Sequence, residues 1–229
     1  MDFQETEEQS MIREMVRDFA EEVLAPTCLS RDREQRPPLD EWAAFCEYGL
    51  QGVTIPEEFG GNPVDDISEA IIVEELARVD PSFSVMFCVH VGLCSKTIAL
   101  HGDEAQKQRY LTRLAAGEIG AYSLSEAGAG TDAAALSCRA KISEDGTHYV
   151  LNGEKMWVTN GQSAEIYVLF AKDVVNSGDG EWVTLELAND SAGVNVIHPG
   201  HAHPLRDDPE TYAVVLLSRI GAVASTMKV

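Results

Sequence analysis

Residues 122–132 read Tyr-Ser-Leu-Ser-Glu-Ala-Gly-Ala-Gly-Thr-Asp, and residues 152–161 read Asn-Gly-Glu-Lys-Met-Trp-Val-Thr-Asn-Gly. The first is a strand-like run that enters a glycine-rich turn bearing hydroxyls and an acid. The second is a β-type run with one Trp and one Thr between two Asn-Gly pairs, a dipeptide favoured in tight turns. Just ahead of the first stretch, near Gly117, the hydrophobic period changes from helical to strand-like.

Upstream, the periodicity is helical throughout. Met11, Ile12, Met15, Val16, Phe19, Val23 and Leu24 form one apolar stripe between Glu7 and Leu24, ended by Pro26. Leu39 to Tyr48, closed by Gly49, predicts a second helix, and Thr54 to Pro63 has the glycines and prolines of an ordered loop. A third helix runs to Val79, with Asp66 or Ser68 as its cap. Ser82 to Leu100 is apolar on nearly every face, the pattern of a helix buried in a helical cluster. Asp103 with Gln106 predicts a capping box for a further helix whose inner stripe is Tyr110, Leu111 and Leu114, stopped by Gly117.

Downstream, Leu136 to Ile142, Tyr149 to Leu151, Met156 to Thr159, Ile166 to Phe170 and Trp182 to Leu187 are short β-prone runs separated by Gly-containing turns. The predicted architecture is α+β and multidomain. It comprises an all-α helical domain over residues 1–117, an antiparallel β-barrel over 118–200 and a divergent tail over 201–229, in which Tyr212 to Leu217 is strand-like.

Composition limits the partners. With 38 acidic and 17 basic residues the formal charge is −21, which disfavours nonspecific binding to nucleic acid or anionic membrane and fits a hydrated, salt-tolerant surface. Five cysteines without a Cys-x-x-Cys pair, and an acidic N-terminus unlike a secretion signal, point to a reducing cytoplasm. The apolar run Phe83 to Val91 is too short for a bilayer span, so no membrane association is expected.

A glycine-rich loop after a strand lets backbone N–H groups approach a phosphate, with Ser125 and Thr131 adding donors. Alone, it reads equally as a plain turn whose glycines satisfy positive φ. Trp157, on a strand, offers an indole to a planar heterocycle, and Thr159, two residues on, shares its face. Alone, Trp157 reads as core. Together the two stretches read as a flavin site, and an acidic chain that holds a dianionic cofactor must use such local amides and hydroxyls. His198, His201, His203, Asp207 and Asp208 match no metal-site spacing, so no metal is expected.

These two stretches, with Gly52 to Gly61, Val73 to Asp80 and Gln106 to Leu111, resemble the acyl-CoA dehydrogenase family over roughly residues 3 to 198. The resemblance implies FAD contact by Tyr122, Ser123, Leu124, Ser125, Gly128, Gly130 and Thr131. Ser125 would bond the flavin's pyrimidine side, and Thr131 would also face the acyl-CoA substrate. Trp157, Val158 and Thr159 would lie against the isoalloxazine, with Thr159 near N5. Asp132 is expected to tie down its own loop. The implied reaction is α,β-dehydrogenation of an acyl-CoA to a trans-2-enoyl-CoA, with electrons passed to an electron-transfer flavoprotein and a homo-oligomeric assembly.

The family's catalytic Glu belongs to a C-terminal four-helix domain, and the chain ends before it. No catalytic residue is therefore assigned, and Glu126 is read as part of the cofactor loop. Beyond His198 the sequence leaves the family pattern, as a frameshifted or divergent tail would. Two other readings are a noncatalytic flavin- or partner-binding remnant, and a related flavoenzyme of the acyl-CoA oxidase or nitroalkane oxidase type.

Overall fold

A computed structural model describes residues 4–142, 149–173, 195–197 and 213–218. The predicted strand Trp182 to Leu187 and the His198 to Asp208 cluster lie outside the described residues. The chain divides into two compact units. One is Met1–Ala99 with Lys107–Glu118, the other Leu100–Gln106 with Ile119–Val229.

The helical unit begins with α1 (Glu7–Phe19), started by a capping box in which Thr6 and Gln9 exchange side-chain and backbone hydrogen bonds at 3.1 Å. The stripe predicted to run unbroken to Leu24 widens over Ala20–Leu24 into a π-turn, with the Ala25 amide donating to the Ala20 carbonyl at 2.9 Å. A short α2 (Cys28–Glu34), whose polar sequence gave no periodic signal, carries Arg31 and ends on Gln35 at φ 53. Then come α3 (Leu39–Cys46) and α4 (Asp66–Val79). The cap of α4 is Asp65 rather than Asp66 or Ser68. Asp65 has the extended backbone a cap requires, and its carboxylate accepts from Ile67 N at 2.9 Å and Ser68 N at 3.1 Å.

The long apolar segment is α5 (Pro81–Cys88), a π-turn at Val89–Ser95, and α6 (Lys96–His101). The Ser95 hydroxyl donates to the His90 carbonyl (2.7 Å), and the Thr54 hydroxyl donates to the Val91 carbonyl (2.9 Å). Both carbonyls lie where the widened turn disturbs the regular helical pattern. By length and apolarity this run would also span a bilayer, but Phe83, Phe87, Val91, Cys94 and Ile98 are fully enclosed and 56% of its apolar window is buried. It is a core helix. In α7 (Glu104–Ala115) the predicted Asp103–Gln106 capping box is present at 2.8 and 2.9 Å, and Tyr110, Leu111 and Leu114 are completely buried.

Phe45 is the hub of the helical core. Its ring centroid lies 5.1 Å from Phe19, 5.4 Å from Phe83 and 5.5 Å from Phe87, in tilted and edge-on geometries that suit aromatic quadrupoles. Arg31 is buried and bridges Glu41 (3.0 Å) and Asp80 (2.5 Å), and Asp80 also caps α5 through the Ser82 and Phe83 amides. Between α1 and α4, Glu75 binds Arg13, Arg17 and Arg78. The Arg17 guanidinium, with Arg13 and Arg78, overcomes the cost of burial and holds the Glu75 carboxyl down at about 2.

In the second unit, β4 (Ile166–Asp173) is the central strand. On one edge it pairs in parallel with β1 (Gly120–Ser123) and then with β2 (Arg139–Ile142). On the other edge it pairs antiparallel with β6 (Ala213–Ser218), which pairs with β5 (Asn195–Ile197). A hairpin joins β2 to β3 (Tyr149–Asn152), register Arg139 to Asn152. The expectation of an antiparallel barrel is thus corrected. Among the described residues the strands form a six-stranded sheet that does not close, and it is mixed because β1 and β2 both run alongside β4 in its own direction. Strand pairing is a long-range property that local alternation does not encode.

Candidate functional site

After β1 the chain makes a tight turn in which Glu126 and Ala129 exchange backbone hydrogen bonds at 3.0 and 3.1 Å. The two segments singled out in the sequence meet here. The Met156 amide donates to the Ser125 carbonyl at 2.8 Å, and Lys155 Nζ donates to the Leu124 carbonyl at 2.9 Å and to Glu126 Oε1 at 2.7 Å. Lys155 and Met156 therefore lie directly beside residues 124–126.

Glu126 is saturated. Besides Lys155, its carboxylate accepts from the Ser137 amide (2.5 Å), the Ser137 hydroxyl (2.7 Å) and the Cys138 amide (3.0 Å). Burial alone would raise its pKa, but the Lys155 ammonium and these donors outweigh it and hold the carboxyl at about 2. A carboxylate so bound is a poor proton acceptor near neutrality, in keeping with its reading as part of the loop. Sequence reasoning did not find Lys155 and Ser137, because nothing local marks a lysine or serine as the partner of an acid 29 or 11 residues away.

Met156 to Thr159, predicted as a strand with Trp157 and Thr159 on one face, is instead irregular and leads into a turn that starts at Thr159. Trp157 has φ 59 and Asn160 φ 66, and the Gly161 amide closes onto the Val158 carbonyl at 3.0 Å. The turn is anchored by Asn160 Nδ2 on the Gly120 carbonyl (2.9 Å) and by the Tyr167 hydroxyl on the Gly161 carbonyl (2.6 Å). Strand alternation therefore does not relate Trp157 to Thr159. Nor is Trp157 core, since 84% of it is exposed.

The remaining candidates divide by exposure. Gly128, Gly130 and Thr131 are exposed, Tyr122, Leu124, Ser125, Val158 and Thr159 half-buried, and Ser123 buried, so the Ser123 side chain packs inward. Asp132 makes no side-chain cap bond; its carbonyl accepts from the Ala135 amide at 3.1 Å. Gly128 and Gly130 are not in the left-handed region, and a methyl group built on either meets nothing within 4 Å. The plain-turn explanation of these glycines, a need for positive φ, is thereby removed. By contrast Gly153, at φ 150, sits so close to the Cys138 backbone that a Cβ would fall 2.6 Å from Cys138 Cα. That glycine is a packing requirement of the β2–β3 hairpin.

The glycine loop thus has bare backbone facing open space and donor hydroxyls at Ser125 and Thr131, and an exposed indole follows the Lys155–Met156 pair that is bonded to residues 124–126. These are the parts that a cofactor with a phosphate and a planar ring requires.

Comparison with known proteins agrees. The family described as acyl-CoA dehydrogenase, N-terminal domain, matches residues 6–118, and acyl-CoA dehydrogenase, middle domain, matches residues 121–216. The middle-domain match runs past His198, through most of β6. A short-chain-specific acyl-CoA dehydrogenase of Clostridium acetobutylicum is 43% identical over 172 residues, 75% of this chain and 45% of the relative. The mitochondrial isovaleryl-CoA dehydrogenase of Oryza sativa is 37% identical over 179 residues, covering 77% of this chain and 43% of the relative. Butyryl-CoA dehydrogenase from Megasphaera elsdenii superposes with a TM-score of 0.71 at 31% identity, over 95% of this chain and 57% of that one. An acyl-CoA dehydrogenase from Bacillus anthracis, solved with FAD, superposes with a TM-score of 0.70 at 31% identity, over 95% and 36%. The chain spans just under half the length of these curated relatives. Matched in order by both domain families across residues 6–216, the chain belongs to the acyl-CoA dehydrogenase family.

Proposed function

We propose that this chain carries the flavin cradle of an FAD-dependent acyl-CoA dehydrogenase. The observation that carries the reading is an exchange of roles between residue types. Gly128 and Gly130 occupy backbone that any residue tolerates, while Trp157, exposed, occupies left-handed backbone that favours glycine. A glycine without structural need costs about 0.5–1 kcal/mol relative to alanine, and a non-glycine residue in the left-handed region costs about 1–3 kcal/mol. Neither cost is offset by packing. Close approach of a pyrophosphate to the loop and of a planar ring to the indole accounts for both.

In this assignment the backbone around Gly128 and Gly130, with Thr131, holds the pyrophosphate, and Ser125 bonds the pyrimidine side of the flavin. Trp157, Val158 and Thr159 line the isoalloxazine, Thr159 nearest N5, and Tyr122 to Leu124 carry the loop from β1. Thr131 also faces the acyl-CoA. When bound, FAD supplies the two-electron acceptor for oxidation of an acyl-CoA to its trans-2-enoyl thioester. The relatives' activities on short-chain and branched acyl-CoA support that substrate class. Similarity to a structure described as the electron transferring flavoprotein of Acidaminococcus fermentans, TM-score 0.72 at 33% identity, supports an electron-transfer flavoprotein as acceptor. Glu126 is not proposed as the base, because four donors already hold it.

The test is titration of the purified chain with FAD, followed by anaerobic addition of butyryl-CoA. A perturbed flavin spectrum is expected on binding, and its absence refutes the cradle. Bleaching by substrate would mean that a base is supplied in the mixture; bound flavin that is never bleached restricts this chain to cofactor binding.

A further inference from the structure

Lys155 and Glu126 are both buried, 3% and 7% exposed, whereas Gly128, Gly130, Thr131 and Trp157 close to them in sequence are exposed. Moving two charges out of water costs several kcal/mol per ion, and a well-packed apolar pair at such a site is often no less stable. Stability alone is therefore a weak reason for this pair. Its connections are informative. The ammonium reaches Leu124 O and Glu126 Oε1 across 31 and 29 residues of chain, and the carboxylate reaches Ser137 and Cys138, immediately before β2. The neighbouring Met156 amide closes on Ser125 O. One buried pair thus joins the glycine loop, the start of the β2–β3 hairpin and the irregular segment that bears Trp157.

Resting on the flavin reading, we infer that Lys155 and Glu126 are positioning residues: the buried ammonium–carboxylate clamp fixes the spacing between the glycine loop and the Trp157 segment, and so sets how phosphate and ring are held at once. Trp157 stands two residues from Lys155, in a conformation its own backbone does not favour, so a neighbour must hold it there. A clamp made of directed hydrogen bonds does this better than an apolar contact, because it specifies distance and angle.

The experiment compares the full chain with Lys155→Met, Lys155→Arg and Glu126→Gln, by FAD titration and by hydrogen exchange of the cofactor-free protein. Expected for Lys155→Met is FAD binding weaker by about tenfold or more, an altered visible band of the flavin that does bind, and partial recovery in Lys155→Arg. Exchange should accelerate at the Ala129, Ser137, Cys138 and Met156 amides and stay unchanged at Glu165 and Ile166, whose amides bond Ile119 O. Wild-type affinity and an identical flavin spectrum in Lys155→Met and Glu126→Gln overturn the inference, as does loss of cooperative melting in all three variants, which would make the pair plain core. If the parent chain takes up no FAD, the flavin reading fails by itself. The exchange pattern then decides the clamp: local acceleration upholds it, and none refutes it.

Discussion

The two units spend their buried polar groups differently. In the helical unit, buried charges such as Arg31, Glu41 and Asp80 tie helices together behind an aromatic core centred on Phe45. Glycines there answer to packing, as at Gly61, where a Cβ would lie 1.9 Å from the Ile55 carbonyl. In the β unit, the buried Glu126–Lys155 pair joins two loops rather than two packed elements. There Gly128 and Gly130 occupy backbone that any residue tolerates, and exposed Trp157 takes left-handed backbone. Gly61 thus answers to a protein neighbour, whereas on the proposed flavin reading the partner of Gly128, Gly130 and Trp157 is the cofactor.

The largest effect that would break this contrast is expected at Gly61. Gly61→Ala forces displacement of backbone, and loss of more than about 4 kcal/mol is expected, read as disappearance of the helical signal's cooperative urea transition. A milder response would mean that the Thr54–Pro63 loop is pliable. Next, Phe45→Ala should cost about 3–5 kcal/mol in the same assay and leave FAD affinity per folded molecule unchanged.

The two units should also part along the pH axis. Burial pushes fully enclosed His90 down to about 4, so the unfolded state, titrating near 6.5, takes up the proton first. Stability from neutral His90 is therefore complete above about pH 6.5 and is lost as pH falls towards 4, by on the order of 3 kcal/mol. Melting of the parent chain against His90→Gln across that range checks it. Glu126 is lowered as well, from its ordinary value of 4.5, so its window lies further towards acid. Its contribution is complete above that value and fades only as pH drops towards about 2, so exchange at the Ser137 and Cys138 amides should stay slow at pH 5.

The smallest stability effects belong to the cradle. Gly130→Ala should raise the stability read from the melting transition by about 0.5–1 kcal/mol, since the methyl meets nothing and the backbone needs no glycine, yet weaken FAD binding measurably. Trp157→Gly should leave stability unchanged or raise it by up to about 1 kcal/mol through relief of the left-handed backbone, while FAD affinity drops. If Trp157→Gly destabilised the protein, the indole would be a packing residue and the contrast would collapse.

Most of the helical unit was legible from spacing, because a helix is set by residues three and four apart. The Ile12, Val16, Phe19 and Leu24 part of the first stripe, the Asp103–Gln106 capping box and the buried Tyr110, Leu111 and Leu114 follow from neighbours in sequence, whereas Met11, assigned to that stripe, is 70% exposed. The misses there are local exceptions: the two π-turns, the Asp65 cap, and α2, whose polar face offered no period. In the β unit the motif residues were legible but their geometry was not. Met156 to Thr159 has strand composition, yet Met156 is bonded to Ser125, 31 residues away, and Trp157 turns to φ 59, neither of which local composition signals.

By itself, the sequence determined the helix-to-strand division, the helical core stripes, and the identity of the glycine and Trp stretches that place this chain in its family. All of these are carried by short-range spacing and residue type. Only the tertiary structure decided that the strands form a mixed sheet around β4, that Glu126 is held by Lys155 and Ser137, and that Gly128 and Gly130 are free of any backbone need. Those are facts about distances between residues far apart in the chain, which depend on where folding brings them and not on what stands beside them in the sequence.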